Sequence, residues 1–258
     1  MNPDEITPML LTYNEEPNLR RALDKLRWAK QILVLDSFST DKTEEIAKSH
    51  PQVKWMQRKF DSFAGQCNYG LEQIESEWVL SMDCDYILRD ELVEELKGLR
   101  VDGLAGFRAS FVYCIWGRPL RATLYPPRAV LYQRSKAKYR DEGHGHRVDI
   151  DGKVGDLRGK IEHDDRKPLD RWFASQNKYM IIESQNLLST PMSELKLQDR
   201  LRRRIFIAPW LVFFYTLFGQ RLIFDGWPGC YYVCQRVLAE TMLSLRLAEA
   251  KILSKGNA

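Results

Sequence analysis

The 258-residue chain contains no long uninterrupted hydrophobic run. Its most apolar stretch, Ile205 to Gly219, is broken by Pro209 and falls short of the roughly 20 residues a spanning helix needs. Cysteine is scarce. The five present (Cys67, Cys84, Cys114, Cys230 and Cys234) are odd in number and lack paired CxxC units or Cys/His clusters at zinc spacing. This excludes a disulfide scaffold and a structural zinc, and fits reduced thiols. Cys230 and Cys234, four apart, are expected to serve packing. Neither charge sign dominates: 39 Lys plus Arg face 35 Asp plus Glu, a net charge of +4. That balance excludes nucleic acid as the main partner. With 15 Gly and 11 Pro, and no repeat or biased segment, collagen-like and disordered chains are excluded too. The opening Met1–Glu5 lacks the basic-then-apolar order of an export signal, so the expected location is the cytoplasm.

What remains is an ordinary globular chain, 44% hydrophobic and long enough for one large domain or two small ones. Its first hundred residues alternate strand-like and helix-like patterns. Met9-Leu10-Leu11 leads through the polar Thr12-Tyr13-Asn14-Glu15-Glu16 into Leu19, Ala22, Leu23 and Leu26 at helical spacing. Pro8 is awkward inside a buried strand, so pairing is expected to begin after it. Ile32–Leu35 ends at Asp36 and is followed by a helix carrying Ile46 and Ala47. Val53–Met56, a helix over 66–74 and Trp78–Met82 complete the series, which ends at Asp83-Cys84-Asp85. Strands alternating with helices predict right-handed crossovers and a mainly parallel sheet, an α/β fold.

From about Gly103 the pattern changes. Strands are expected over 107–116 and 129–133, around the basic, proline-rich link that holds Arg118, Arg121 and Arg128. Residues 139–165, dense in charge and glycine, read as loops with short strands. Asp164-Asp165, before Lys167-Pro168, are expected to start and cap a helix over 168–189. An apolar stripe at Cys234, Leu238, Met242, Leu245 and Ala248 marks a last helix, and Asp225–Gly229 reads as a turn before it.

Ligands of open parallel sheets bind beyond the carboxyl ends of the strands. Three polar signatures fall there: Thr12-Tyr13-Asn14-Glu15, Asp36 with Ser37, and Asp83-x-Asp85. Singly, each reads equally well as turn chemistry. Two carboxylates one residue apart at a strand end can both face a hard divalent cation, Mg²⁺ or Mn²⁺, that keeps positions open for phosphate oxygens. A nucleoside diphosphate ligand follows, with Asp36 and Glu15 suited to a base or ribose.

The segments TYNEE at 12–16, VLDSFSTDKT at 34–43, GQCNYGL at 65–71 and EWVLSMDCD at 77–85 resemble the N-terminal half of family 2 glycosyltransferases. WGRPLR, YPPRAVLYQR, GHGHRV, KIEHDDRKPLDRW and FDGWPG extend a looser similarity to about residue 240. They point to the bacterial enzymes that build lipopolysaccharide core or other lipid-linked glycans. The resemblance implies a GT-A fold, a Rossmann-like, mainly parallel sheet flanked by helices, here with a C-terminal helical membrane-associating extension. It also implies inverting transfer from a nucleotide-sugar, most often UDP-linked, with a divalent metal. Position by position, Thr12, Tyr13 and Glu15 would line the nucleotide pocket, Asp36 would meet the base and Gln66 would lie near the nucleotide. Asp83 and Asp85 would hold Mg²⁺ or Mn²⁺, with Asp83 also touching the nucleotide-sugar. The family often carries two acids after the second strand, and this chain has Asp36-Ser37.

Inversion needs a base to take the acceptor proton. Arg140–Arg147 is the corresponding region. Glu142 is favoured, with Asp141 and His144 as alternatives, and His163 is a further possible site residue. Arg118, Arg121 and Arg128 form a basic strip suited to the donor diphosphate or an acceptor phosphate, or else a solvated turn.

The expected organisation is a catalytic domain over 1–165, with a nucleotide-binding half (1–100) and an acceptor-side half (101–165), then a helical region over 166–258. Arg200–Arg204 precede the aromatic run from Ile205, which suits an interfacial membrane segment near 200–224, against the plainer reading of a buried helix. The expected partners are a nucleotide-sugar donor, a lipid-linked glycan acceptor and the inner face of the cell membrane, to which the enzyme would attach peripherally. A polyprenyl-phosphate acceptor is the nearest rival. A non-catalytic nucleotide-sugar or membrane-binding module is the rival of another class.

Overall fold

The computed structural model describes residues 2–142 and 145–256. Chain contacts divide it into two compact units, one of residues 1–119 and 124–167 and the other of 120–123 and 168–258. The first unit is α/β. Its elements are β1 (Ile6–Thr12), α1 (Leu19–Asp24), β2 (Ile32–Asp36), α2 (Thr43–Lys48), β3 (Val53–Gln57), α3 (Phe63–Glu72), β4 (Trp78–Met82) and β5 (Tyr86–Leu88). There follow α4 (Asp90–Lys97), β6 (Gly106–Ile115), β7 (Arg118–Pro119), β8 (Arg128–Gln133), β9 (Ala137–Glu142), β10 (Gly145–Ile150) and β11 (Val154–His163).

The main sheet runs β3-β2-β1-β4-β8-β6-β11-β5, with β7 on β6. β3, β2, β1 and β4 are mutually parallel, and β8 turns antiparallel against both β4 and β6. Side chains alternate across a strand, and here both sets are buried. Ile6, Leu10, Ile32 and Val34 pack with Leu19, Leu23 and Leu26 from the α1 segment and Ile46 from α2. On the other face Met9, Leu33 and Val79 pack with Ala64, Cys67 and Leu71 of α3. Burial on both sides explains the near-continuous apolar runs of β1, β2 and β4.

Two expectations are corrected here. Pro8 lies inside β1, opposite Leu80 of β4, whereas pairing with β2 begins only at Met9. At Pro8 the strand has a neighbour on one side, so the missing amide costs no rung on the other. Residues 139–165 are not loops with short strands: β9 and β10 form an antiparallel hairpin, and the ten-residue β11 sits between β6 and β5 in the main sheet.

The second unit is helical: α5 (Leu169–Ser189), α6 (Leu197–Arg202), α7 (Ile207–Phe214), a π-type turn over Tyr215–Gly219, a 3-10 turn over Leu222–Asp225, and α8 (Trp227–Gly256). Its core joins Leu187, Leu195, Leu243 and Leu247. Trp227-Pro228-Gly229 open α8 and do not form a turn, proline being tolerated in a first helical turn. Of the apolar stripe, Cys234, Leu238 and Leu245 are exposed and Met242 and Ala248 are half-buried, while Val233, Ala239, Leu243 and Leu247 form the buried side. Cys230 is exposed as well, so packing does not account for Cys230 or Cys234. α8 is apolar around much of its girth, and sequence periodicity alone does not choose the buried face. Among the described residues, no helix is long and apolar enough to cross a membrane.

Candidate active site

Because β1 lies between β2 and β4, the segments after their carboxyl ends, 12–15, 36–39 and 83–85, are neighbours at one rim of the sheet. Thr12 and Asp36 face each other in register. The Thr12 hydroxyl donates to Asp36 Oδ1 at 2.9 Å, and Ser37 N donates to Thr12 O at 2.9 Å. Asp36 is fully buried and also accepts from Ser39 N (2.8 Å), the Ser39 hydroxyl and Gln57 Nε2 (3.2 Å). Its four acceptor sites are thereby engaged within the protein. The two loops are laced further by Asn14 Oδ1, which accepts from Thr40 N at 2.7 Å. Asn14 and Phe38 both adopt left-handed backbone (φ 55° and 63°), a conformation uncommon for side-chain-bearing residues. Tyr13 and Phe38 expose their rings at the ends of β1 and β2.

Gln66, buried on α3, donates to the Ser37 hydroxyl at 3.0 Å and accepts from Arg58 at 3.0 Å. It steadies the loop after β2 from beneath. Glu15 is buried, accepts from Asn18 Nδ2 at 3.1 Å and pairs with Lys167 Nζ at 2.7 Å. Burial pushes its carboxyl up to about 7 against the pull of the Lys167 ammonium.

The Asp83 and Asp85 environments differ. Asp83 is exposed at the rim. Asp85 is buried, and its Oδ2 lies 3.1 Å from His163 Nε2. Burial alone would raise its pKa, but the imidazole and the Lys167 ammonium outweigh it and hold the carboxyl near 2. His163 is raised in turn, because Asp85 outweighs the desolvation that would lower it. Asp85 Oδ1 is buried with no hydrogen-bond partner. A lone pair left bare inside a protein costs free energy unless a ligand meets it. Among the described residues, no three His, Cys, Asp or Glu side chains gather as a metal cage. The protein thus offers two carboxylates, a donor set that fits a hard cation completing its shell with water and phosphate oxygens.

His163 carries only a weak site signal in the sequence, and Lys167 carries none. Residues 163–167 form one strap across the start of the chain: His163 meets Asp85, Asp164 meets Arg21 (2.7 Å), Asp165 accepts from Asn18 (2.9 Å) and Lys167 meets Glu15. Asp164 and Asp165 therefore do not cap α5, whose N-cap residue is Pro168 with no side-chain cap. The run HDDRK is the only sequence signal for this strap, and local spacing does not reveal its partners.

Among the basic residues, the Arg128 guanidinium lies 4.7 Å from the Tyr125 ring centroid, and Tyr125, Tyr86, Asp83 and Asp85 raise its pKa against desolvation. Arg121 is held elsewhere, its Nε 2.7 Å from Asp225 within the second unit. Arg118 is exposed in β7. On the β9–β10 hairpin, Asp141 accepts from Ala64 N at 3.0 Å, at the N-terminus of α3. Glu142 is half-exposed, with Arg140 and Arg147 at 3.5 and 3.7 Å. His146 packs against Phe63 and Tyr139, and burial lowers its pKa while Asp83 and Asp141 act against that. His144 lies outside the described residues.

The sequence pattern of glycosyl transferase family 2 matches residues 9–150, more than half of the chain, including the ends of β1, β2 and β4. The chain belongs to this family. It is a glycosyltransferase, and its first unit has the expected GT-A architecture. It is 27% identical over 195 residues to the lipopolysaccharide core biosynthesis glycosyltransferase LpsC of Rhizobium meliloti (strain 1021), covering 69% of this chain and 70% of LpsC. The glycosyltransferase SunS of Bacillus subtilis (strain 168) is 33% identical over 89 residues, 33% of this chain and 21% of SunS. An uncharacterized glycosyltransferase of Rickettsia bellii (strain RML369-C) matches over 36% of this chain, which spans 32% of that relative's length. In structure, the mannosyltransferase PcManGT from Pyrobaculum calidifontis, solved with GDP-Man and Mn²⁺, aligns with 97% of this chain and 88% of its own. The TM-score is 0.52 and the identity 16%, a likeness of fold.

Proposed function

We propose that this glycosyltransferase moves a sugar, with inversion, from a nucleotide-sugar of the UDP class to a lipid-linked glycan such as lipopolysaccharide core, working as a peripheral protein at the inner face of the cell membrane. The observation that carries the donor half is Asp85: one oxygen is fixed by His163, the other is buried and unmet, and exposed Asp83 stands two residues away. Asp83 and Asp85 would hold Mg²⁺ or Mn²⁺, which when bound neutralises the diphosphate as it departs. Tyr13 and Phe38 offer ring faces to the nucleobase. Thr12, Asp36 and Gln66 fix the loop on which the base rests, and Glu15 with Lys167 closes the far side. Arg128, already in the field of both acids, is the arginine suited to a diphosphate oxygen.

Glu142 acts as the base. As the acceptor oxygen bonds to the anomeric carbon, the bond from that carbon to the diphosphate breaks, the nucleoside diphosphate leaves with the electron pair, and Glu142 takes the hydroxyl proton. Glu142 suits this role better than Asp141, whose carboxylate is engaged at the start of α3. The lipopolysaccharide acceptor is drawn from LpsC, which shares 27% identity over most of the chain.

A thermal-shift screen against UDP-, GDP-, CMP- and dTDP-sugars, with and without Mn²⁺ or Mg²⁺, tests the donor assignment. A donor at 100 times its dissociation constant stabilises by about 2.7 kcal/mol. We expect a metal-dependent shift with one nucleotide class. No shift with any donor contradicts the donor assignment.

A further inference from the structure

The second unit carries an aromatic face that its own packing leaves in water. Along α7 and the following π turn, Phe206, Trp210, Phe214 and Phe218 recur every four residues, and all four are more than half exposed. Three of the rings stack in a row, Trp210 on Phe214 at 6.4 Å and 25° and Phe214 on Phe218 at 6.2 Å and 22°, and Phe206 stands one four-residue step before them. Phe224, 70% exposed, adds to the face. On α7 itself, only Ala208 is buried. A short helix that buries one alanine and displays its rings gains little from its fold in water, and an apolar patch of this extent marks a contact surface.

Charge selects what covers it. Between Arg200 and Phe224 there are five arginines and no Asp or Glu. Arg202 is neutralised internally by Glu240 and Glu183, whereas Arg204 and Arg221, before and after the ridge in sequence, are exposed. A second copy of this chain docked face to face would bring arginine against arginine. An anionic surface would pair with them instead. Rings of Trp, Phe and Tyr beside cations are the composition of segments that lie in the headgroup region of a bilayer, and this segment is too short to cross one.

We propose that this face seats on an anionic phospholipid bilayer, with the Phe206–Trp210–Phe214–Phe218 ridge inserted among the headgroups and Arg204 and Arg221 on lipid phosphates. The inference rests on the lipid-linked acceptor for its purpose, since such an acceptor is met at a bilayer, while its evidence is the face itself.

The test is co-sedimentation of the full chain with sucrose-loaded vesicles of phosphatidylcholine alone and of phosphatidylcholine with one-third phosphatidylglycerol. We expect binding to the anionic vesicles, weakened by salt. Trp210→Ser with Phe214→Ser should reduce it more than about tenfold. Arg204→Gln and Arg221→Gln should each weaken it roughly fivefold, the affinity equivalent of about 1 kcal/mol per cation near an anionic surface. Metal-dependent donor hydrolysis, assayed without lipid, should stay at the wild-type level in all these variants, which separates lost binding from lost folding. Failure of hydrolysis in the wild type, with vesicle binding intact, would count against the transferase mechanism alone. Absence of binding to anionic vesicles, or binding that survives the double substitution, overturns the membrane assignment. A concentration-dependent dimer abolished by the double substitution, without vesicle binding, gives the face to a second copy and overturns it as well.

Discussion

Asp85 places different demands on its two oxygens, and the difference separates it from every other acid at the rim. Oδ2 is committed to His163 and Oδ1 is left for something outside the protein. Asp36 is its opposite, buried and saturated by internal donors. Asp36→Asn turns one acceptor edge into a donor facing other donors, so it should lower both stability and donor affinity, with a cost of about 1–3 kcal/mol in thermal or chemical melts. On the hairpin the neighbouring acids should behave differently. Glu142→Gln should leave donor binding intact and reduce transfer by roughly 10²–10⁴, as expected when a general base is lost. Asp141→Ala should leave Ala64 N without its acceptor and lower stability by about 1 kcal/mol, the usual loss at a helix N-terminus. If the two substitutions exchange these phenotypes, measured by transfer rate and melting temperature, the base is Asp141.

At the scale of elements, β11 shows what local sequence withholds. β1, β2 and β4 are legible because strands buried on both faces read as apolar runs. The sequence of β11, VGDLRGKIEH, mixes charge and glycine yet lies inside the sheet. Its irregularity is a shift in register against β6 between Asp156 and Lys160. There the backbone turns to α4: Glu95 accepts from Arg158 N at 3.0 Å and from Gly159 N at 2.8 Å. A Cβ on Gly159 would come within 2.7 Å of the Leu92 backbone. Gly159→Ala should therefore force strand and helix apart, at a cost of about 1–3 kcal/mol in chemical denaturation. An unchanged midpoint would mean that α4 moves freely. The candidate site is legible in part for the same reason. Residues 12–85 form it from strand ends whose motifs carry their own signal, whereas His163 and Lys167 are placed by a strap whose partners lie many tens of residues away. The outward turn of Leu238 and Leu245 on α8 was hidden because that helix has apolar residues on both sides.

For the whole molecule, a GT-A unit carrying the candidate donor site accompanies a helical unit that bears an aromatic, basic face. The slight net charge of +4 conceals this organisation, since a run of arginines near 200–204 is offset by acids elsewhere in the chain. The central claim concerns the first unit: Asp83 and Asp85 hold the cation that makes the nucleotide a leaving group. The direct measurement is release of nucleoside diphosphate from the donor found by thermal shift, for wild type, Asp85→Asn and the exposed α5 residue variant Asp170→Asn, each stripped with chelator and then given Mn²⁺. The account predicts that Mn²⁺ restores turnover to wild type and Asp170→Asn, while Asp85→Asn, folded to the same melting temperature, stays at least about 10²-fold slower. Turnover that persists without metal, or that Mn²⁺ restores equally in Asp85→Asn, would contradict it.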